Sequence, residues 1–248
     1  MKISVITICF NSAETIEQTI KSVIEQSYKN IEYIIIDGDS SDGTKEIIEK
    51  YRNKITKFIS EKDKGIYDAI NKGIKIANGD IVSLLHGNDI FSSHNSLLKI
   101  VKEFKNNNNF DVIISDLAFK KNFKEKKIYR YYKAKYFKTW MLRIGYSPPH
   151  LSSFFRLKKI QDVGFYNPNF RIAGDFDFFV RSFLVNNLKF KILNECLIYM
   201  SVGGLSGRNI KSYLISSKEI NQSLKSNGYF SNFLITFMRF PLKIIQLL

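Results

Sequence analysis

Short apolar runs alternate with amphipathic segments along the first 116 residues of the chain. The runs are rich in isoleucine and valine, which is typical of strands that are buried on both faces. The segments between them carry apolar residues at spacings of three and four, which is the pattern of one helical face. Strands are therefore predicted over residues 3–8, 31–36, 55–60, 81–85 and 112–115, and helices over residues 12–26, 44–51, 66–77 and 95–105.

Strands that alternate with helices predict an α/β fold with a doubly wound, mostly parallel sheet. This alternation ends after Asp116, where the pattern becomes irregular. The later elements predicted are an antiparallel strand and a helix within residues 117–145, strands over 151–156, 189–193 and 197–201, and helices over 176–186 and 210–226. We expect one domain over residues 1–206, divided into halves at residue 116, and a helical extension over residues 207–248.

The composition is that of an ordinary globular protein, with 44% hydrophobic and 25% charged residues in a chain of 248. Two cysteines cannot form a disulfide framework, which favours a reducing compartment. The apolar start of the chain lacks the features of a signal peptide, and no uncharged apolar run reaches the roughly eighteen residues of a membrane span. We therefore expect a cytoplasmic protein.

The chain is strongly basic, because 38 lysine and arginine residues face 23 aspartate and glutamate residues and give a net charge of +15. This excess favours an anionic partner such as nucleic acid, phospholipid headgroups or a phosphorylated substrate. Basic and aromatic residues are concentrated between Lys120 and Arg143, where Glu125 is the only acid. Such a stretch suits lipid or acceptor phosphates, or stacked bases. No usual nucleic-acid-binding motif is present, so no nucleic-acid partner is expected.

Three acids follow successive predicted strands. Asp37 follows the second strand, Asp63 the third and Asp89 the fourth. Ligands of open parallel sheets bind beyond the carboxyl ends of the strands. We therefore expect these carboxylates to converge on one crevice.

Four segments in this order resemble the inverting glycosyltransferases of family 2, which have the Rossmann-like GT-A fold. The segments are residues 4–11, the turn over residues 34–44, residues 60–73, and residues 173–177 followed by Arg181. The resemblance runs from Ser4 to about Ser206 and is closest to the branch that builds bacterial polysaccharides and O-antigens. It implies a nucleotide-binding half before residue 117 and an acceptor and catalytic half after it.

The resemblance also implies a nucleotide-sugar site in the first half of the chain. The loop that carries Thr7, Cys9 and Asn11 would cradle the base, and Asp37 would accept hydrogen bonds from the base or ribose. The segment that carries Asp63, Lys64 and Gly65 would close the site. Glycine at such positions lets a ligand approach the backbone closely.

Asp89 stands where the family carries its metal-binding acids. A Mn²⁺ or Mg²⁺ ion would suit a carboxylate, diphosphate oxygens and water. Asn88 occupies a position where an acid is usual in this family. Its amide oxygen can contact the ligand or the cation but lacks the charge, which predicts weaker metal dependence.

The resemblance selects Asp175 as the general base that takes the proton of the acceptor hydroxyl. Asp177 is the alternative, and Asp175 and Asp177 would face different directions on a helix. His150, after two prolines, would contact the diphosphate or the acceptor.

Residues 229–248 are mostly apolar, carry Arg239 and Lys243, and contain no acid. This composition suits a segment that lies in the membrane interface, where each basic residue contributes on the order of 1 kcal/mol. The alternative is a helix that packs on its own domain or on a second subunit.

These observations predict an inverting, metal-assisted transferase that moves a hexosyl unit from a nucleotide sugar, expected to be UDP-linked. The acceptor would be a saccharide on a lipid diphosphate at the inner face of the cell membrane, where the protein would bind peripherally. Two alternatives stay open. A nucleotidyltransferase has a similar sheet and acids, but the loop after the first strand lacks the glycines it would need. A nucleotide-sugar-binding or membrane-binding protein without activity is suggested by Asn88.

Overall fold

The computed structural model describes residues 1–107, 109–202 and 210–239. Within them, one sheet contains nine strands. The strands are β1 (Ile3–Cys9), β2 (Ile31–Asp37), β3 (Lys57–Ser60), β4 (Ile81–His86), β5 (Ile90–Phe91), β6 (Val112–Lys120), β7 (Arg130–Tyr132), β8 (Ser153–Arg156) and β9 (Phe190–Ser201). The helices are α1 (Ile16–Ile24), α2 (Thr44–Glu49), α3 (Ile66–Ile76), α4 (Ser96–Asn106), α5 (Leu157–Val163), α6 (Gly174–Phe179), α7 (Ile210–Ser226) and α8 (Phe233–Phe237).

The sheet has the strand order β3-β2-β1-β4-β8-β6-β9-β5, and β7 pairs with β6 outside this path. Parallel pairing joins β1 to β2 and β4, β2 to β3, and β6 to β9. Strands β5, β7 and β8 run against their neighbours. Strand β1 is buried along its whole length at the centre of the parallel part. The predicted α/β fold with a mostly parallel sheet is confirmed.

The second half of the chain differs in detail from the prediction. Strand β9 is continuous where two strands were predicted, because one register shift against β6 skips the polar residues Asn194 and Glu195, and a second skips Leu197. Strand β6 runs on to Lys120, past the predicted boundary at residue 116, so the two predicted halves share one sheet. Strand β5 and helix α5 were not predicted, and α6 continues as a π-helical turn over Val180–Val185.

Helices α7 and α8 pack on the domain. The Asn221 amide donates a hydrogen bond to the Thr236 hydroxyl (3.3 Å), and Thr236 is buried. The predicted boundary between residues 206 and 207 and the last nine predicted tail residues, 240–248, lie outside the described residues. In the part of the chain that the structure describes, no helix has the length and apolar character needed to cross a bilayer.

Candidate active site

A cavity of about 1690 Å³ opens beyond the carboxyl ends of β1, β2 and β4. It is larger than the roughly 300–1,000 Å³ of a typical small-molecule site, so it can hold more than one substrate. Seven of the eleven residues predicted for the site line it: Cys9, Asn11, Asp63, Gly65, Asn88, His150 and Asp175. The other four are Thr7, Asp37, Lys64 and Asp89, which do not line it.

The loop after β1 and the turn after β2 are held together by hydrogen bonds. The Asn11 N–H donates to Ser40 Oγ (2.8 Å), and Asn11 Oδ1 accepts from the Ser41 N–H (3.1 Å). The Ala13 N–H donates to Asp42 Oδ2 (3.0 Å). Asn11 has a φ of 47°, a left-handed conformation that asparagine tolerates better than most residues. These contacts build one rigid wall of the cavity.

The Asp37 carboxylate is fully buried beneath this wall. Its Oδ2 accepts from the Ser40 N–H (2.9 Å) and the Ser60 hydroxyl (2.7 Å), and its Oδ1 accepts from the Ser40 hydroxyl. Thr7 is also buried and contacts the Tyr33 hydroxyl at 3.2 Å. The predicted contact of Asp37 with a nucleotide stays a prediction, because here the carboxylate organises the turn instead.

Cys9 lines the cavity at the end of β1, but its thiol points back toward the sheet. Its Sγ lies 3.7 Å from the Ile36 carbonyl and 3.6 Å from Asp37 Oδ1. Burial and the nearby charge of Asp37 raise the pKa of the thiol far above its ordinary value. Cys9 therefore forms part of the cavity wall and does not act as a nucleophile.

Asp63 faces the cavity opposite the turn after β2. Its Oδ1 accepts a charged hydrogen bond from Lys72 Nζ (2.6 Å). Burial raises the pKa of Asp63, and the Lys72 ammonium opposes that shift. A Cβ at Gly38 would lie 3.0 Å from Asp63 Oδ2, so a larger residue there would push against the Asp63 carboxylate. Gly65 lines the cavity beside it, whereas the Lys64 side chain is exposed outside it.

Asp89 is fully buried directly behind the cavity-lining residues His86 and Asn88. Its Oδ1 accepts from the Ser201 N–H (3.0 Å). Its Oδ2 lies 3.3 Å from His86 Nδ1 and makes no hydrogen bond. A buried carboxylate oxygen without a donor is the kind of atom that a hard cation satisfies.

Asp89 therefore offers a divalent cation one carboxylate oxygen, Oδ2, which lies behind His86 and Asn88 and not in the cavity wall itself. Among the described residues, no group of three or more acid, histidine or cysteine side chains could form a metal site. A cation beside Asp89 would thus need further oxygen ligands from a bound diphosphate and water.

Asp175 lines the cavity at the start of α6. The Tyr67 hydroxyl donates to the Ile172 carbonyl (2.6 Å) and lies 3.4 Å from Asp175 Oδ1, which also accepts from the Phe176 N–H (2.8 Å). Asp177, two residues along, is buried and faces away from the cavity.

Asp177 has structural partners. Its Oδ2 accepts from Arg181 Nε (2.9 Å), and its Oδ1 accepts from the Ser223 hydroxyl (2.8 Å). Arg181 also donates to the backbone carbonyls of Val163, Gly164 and Phe165. Of the two acids considered for the general base, only Asp175 can reach a substrate in the cavity.

His150 lines the cavity and is half-buried. Its Nε2 lies 2.8 Å from the Tyr166 hydroxyl. Burial, with a smaller contribution from the charge of His86, lowers the pKa of His150 to about 3. The ring is therefore neutral at physiological pH, so any contact with a diphosphate would be a hydrogen bond without an ion pair.

Phe10, Tyr67 and His86 are among the cavity-lining residues that sequence reasoning did not assign to the site. Phe10 is 63% exposed, which is unusual for a phenylalanine beside a buried strand. The position of Phe10 at the end of an apolar run could have suggested it. No local signal distinguishes Tyr67, because its contact with residues 172–175 joins distant parts of the chain.

A profile of glycosyl transferase family 2 matches residues 4–163. An uncharacterized glycosyltransferase from Mycobacterium tuberculosis is 32% identical over 188 residues, which are 74% of this chain and 69% of that protein. A cholesterol galactosyltransferase from Borreliella burgdorferi is 38% identical over 116 residues, 46% of this chain and 32% of that protein.

A UDP-Glc:alpha-D-GlcNAc-diphosphoundecaprenol beta-1,3-glucosyltransferase from Escherichia coli is 33% identical over 109 residues, 44% of this chain. The matched parts span 43% of that enzyme and about a third of the cholesterol galactosyltransferase, so much of both relatives lies outside the similarity.

Solved structures share the fold. S. aureus TarS 1-349 in complex with UDP-GlcNAc superposes with a TM-score of 0.71 at 19% identity, over 95% of this chain and 70% of that one. The mannosyltransferase PcManGT from Pyrobaculum calidifontis, in complex with GDP-Man and Mn²⁺, gives 0.65 at 15% identity, over 91% and 63%. The family profile covers most of the chain, and the M. tuberculosis relative covers more. The chain therefore belongs to glycosyltransferase family 2 and has the GT-A fold.

Proposed function

We propose that this glycosyltransferase moves a hexosyl unit from a UDP-sugar to a saccharide acceptor on a lipid diphosphate, with inversion at the anomeric carbon. The observation that carries the proposal is that Asp175 lies in the wall of the same cavity as the loop after β1 and Asp63. A carboxylate is thus available beside the region where the family binds its nucleotide sugar.

The reaction transfers one proton, forms one bond and breaks another. Asp175 takes the proton of the acceptor hydroxyl as that oxygen bonds to the anomeric carbon. The bond from this carbon to the diphosphate breaks on the opposite face, and the nucleoside diphosphate leaves with the electron pair. Attack from that side inverts the anomeric centre. The hydrogen bond from the Tyr67 hydroxyl to the Ile172 carbonyl keeps the segment that carries Asp175 in place during the reaction.

The donor end of the cavity is assigned to the loop after β1. Phe10 presents an exposed ring on which a base can stack, and Asn11 and Asp63 present polar groups to the base and ribose. The nucleotide complexes of TarS support a UDP-linked donor, as does the UDP-Glc specificity in the name of the E. coli relative.

A divalent cation is the proposed cofactor. Asp89 would hold it through Oδ2 together with diphosphate oxygens, and Asn88 would contribute at most a neutral amide oxygen. When bound, Mn²⁺ or Mg²⁺ neutralises charge on the leaving nucleoside diphosphate. The Mn²⁺ complex of PcManGT supports this proposal.

The acceptor end is assigned to the part of the cavity beyond Asp175. Arg130 and Arg171 line it together with Tyr132 and Ser147. Guanidinium groups suit the oxygens of a phosphate, which is the reason for proposing a phosphorylated acceptor. The diphosphoundecaprenol acceptor in the name of the E. coli relative also supports a lipid diphosphate as the acceptor. Such acceptors are used in polysaccharide and O-antigen assembly.

Peripheral binding to the inner face of the cell membrane is proposed from helix α8. Its outer face exposes Phe233, Leu234 (82% exposed) and Phe237, and Phe230 just before it is 74% exposed. Arg143 stacks on the Tyr229 ring at 4.7 Å, so a basic group adjoins this apolar face. Apolar side chains beside basic residues are the composition of a surface that binds anionic lipid.

The function is tested by thermal stabilisation with UDP-glucose, UDP-galactose, UDP-GlcNAc and GDP-mannose, with and without Mn²⁺. The best donor is then incubated with a synthetic saccharide on a lipid diphosphate, and the anomeric configuration of the product is determined by NMR. We expect stabilisation by a UDP-sugar and an inverted product. A retained configuration would refute inversion, and absence of transfer with donor binding intact would support the inactive alternative.

The base is tested with Asp175→Asn, which should lower kcat by more than about tenfold and leave donor affinity unchanged. Asp177→Asn is the comparison, and it should lower the melting temperature with a smaller effect on kcat. If Asp175→Asn turns over within tenfold of the wild-type rate, or Asp177→Asn loses more activity, the assignment of the base is wrong.

Membrane binding is tested by flotation with vesicles of phosphatidylcholine alone or with added phosphatidylglycerol. We expect binding to the anionic vesicles, and its loss in the triple variant Phe233→Ser, Leu234→Ser, Phe237→Ser. Unchanged flotation of a folded triple variant would contradict the assignment of α8.

A further inference from the structure

Helix α7 forms part of the cavity wall. Tyr213, Ser216 and Ile220 line the cavity, and spacings of three and four place these residues on one face of the helix. The adjoining edge of this face contacts the segment that carries Asp175 and Arg171, the second of which was assigned to the acceptor side.

Glu219, three residues after Ser216, makes the main contact with that segment. Its Oε1 accepts from the Arg171 N–H (2.8 Å), and its Oε2 accepts from the N–H groups of Ile172 (2.9 Å) and Ala173 (2.7 Å). Ala173 is the N-cap of α6, and Arg171 and Ile172 precede it, so the Glu219 carboxylate satisfies three consecutive backbone donors of the segment that leads into the helix. Hydrogen bonds to an ionised acceptor are also stronger than neutral ones.

The same short segment is held from the opposite side by Tyr67. The Tyr67 hydroxyl donates to the Ile172 carbonyl (2.6 Å), while the N–H of Ile172 donates to Glu219. A Cβ at Gly174 would lie 2.7 Å from the Tyr67 ring, so the ring packs directly on this backbone. The backbone before Asp175 is therefore fixed between α3 and α7.

We propose that Glu219 is a positioning residue for Asp175, and that through it helix α7 links the acceptor side of the cavity to the general base. This rests on the proposed function, in which Asp175 takes the acceptor proton. Asp175 is two residues after Ala173, the last residue whose N–H donates to Glu219, so a shift of residues 171–173 moves the Asp175 carboxylate. A displacement of about 1 Å at a reacting group can lower a rate about a hundredfold.

Asn227, the residue directly after the last residue of α7, provides a matched control. Its amide lies 3.3 Å from Asp177 Oδ1 and donates to the Ser223 carbonyl (2.8 Å). Asn227→Ala therefore loosens α7 from α6 without touching residues 171–173. A merely structural role of α7 predicts similar effects for Asn227→Ala and Glu219→Ala, whereas positioning predicts different ones.

The experiment compares Glu219→Ala, Glu219→Gln and Asn227→Ala in the full chain. We measure kcat and KM for transfer from the UDP-sugar found in the donor screen, the affinity for UDP, and hydrogen exchange at residues 171–173. Glu219→Ala should lower kcat at least about tenfold, leave UDP affinity within about twofold, and speed exchange at these amides. Glu219→Gln keeps one carbonyl oxygen and should recover part of kcat. Asn227→Ala should keep kcat within about threefold.

Three results would overturn the proposal: unchanged exchange at residues 171–173, unchanged kcat despite faster exchange, or equal loss of kcat in Asn227→Ala. If Glu219→Ala does not fold, the comparison between Glu219→Gln and Asn227→Ala decides. If the wild-type protein transfers no sugar, the proposed function fails, and the exchange data still show whether Glu219 holds the segment.

Discussion

Acid is expected to destabilise the protein through His150, and substitution of His150 by glutamine should remove that effect. The His150 pKa is about 3 in the folded protein and 6.5 in the unfolded chain. The folded state therefore binds fewer protons than the unfolded state between these values. The contribution of the neutral His150 imidazole to the free energy of unfolding is present above about pH 6.5 and is lost as the pH falls toward 3.

The magnitude follows from the two pKa values. Between pH 7 and pH 5 the unfolded imidazole becomes almost fully protonated while the folded one stays neutral, which costs about 2 kcal/mol of unfolding free energy. The full difference, reached below pH 3 where both states are protonated, is about 5 kcal/mol. His150→Gln can keep a hydrogen bond with the Tyr166 hydroxyl but cannot titrate.

The assay is urea unfolding of both proteins at pH 7 and pH 5, followed by circular dichroism. Groups that do not interact with His150 titrate equally in both proteins, so their contribution cancels in the difference; His86, whose charge acts on His150, is replaced by glutamine in both proteins. We expect the protein that retains His150 to lose about 2 kcal/mol more than His150→Gln over this range. Equal losses would refute the neutral, buried state of His150.

Two further predictions concern the donor end of the cavity. A Cβ at Gly87 would lie 2.7 Å from Cys9 Cβ, so Gly87→Ala should displace the loop after β1. We expect calorimetry to show UDP binding that is about tenfold weaker. Unchanged affinity would show that the loop does not bind the nucleotide. Asp89→Asn should abolish the Mn²⁺-dependent part of UDP binding and leave binding in EDTA unchanged, because the amide lacks the charge that holds the cation; a Mn²⁺ effect equal to that of the wild-type protein would exclude Asp89 as a ligand.

The first half of the fold could be predicted because its signals are local. Strands β1, β2 and β4 are continuous apolar runs, and helices α1 and α3 carry one apolar face each, so period and length identify them without tertiary information. Strand β5 has two residues and no pattern of its own, since its pairing with β9 defines it. The break predicted within β9 came from two polar residues that the bulges accommodate.

The sequence predicted which residues belong to the site better than it predicted how their side chains are arranged. Asp63 and Asp175 line the cavity as expected, because each follows a strand or begins a helix at the correct edge of the sheet. Asp37 is enclosed by the hydroxyls of Ser40 and Ser60, and the second of these lies 23 residues away in sequence. Glu219 lies 46 residues beyond Ala173, and no spacing rule connects the two.

The raised pKa of the Cys9 thiol has a practical use. Cys196 is the other cysteine of the chain, and burial raises its pKa to about 11, so both thiols are almost entirely protonated at neutral pH. Thiol-directed fluorophores and spin labels react with thiolates, so they should spare both native positions. A single cysteine introduced on the surface could then be labelled selectively in the otherwise unaltered protein, and distances to α8 or to a docked vesicle could be followed in solution.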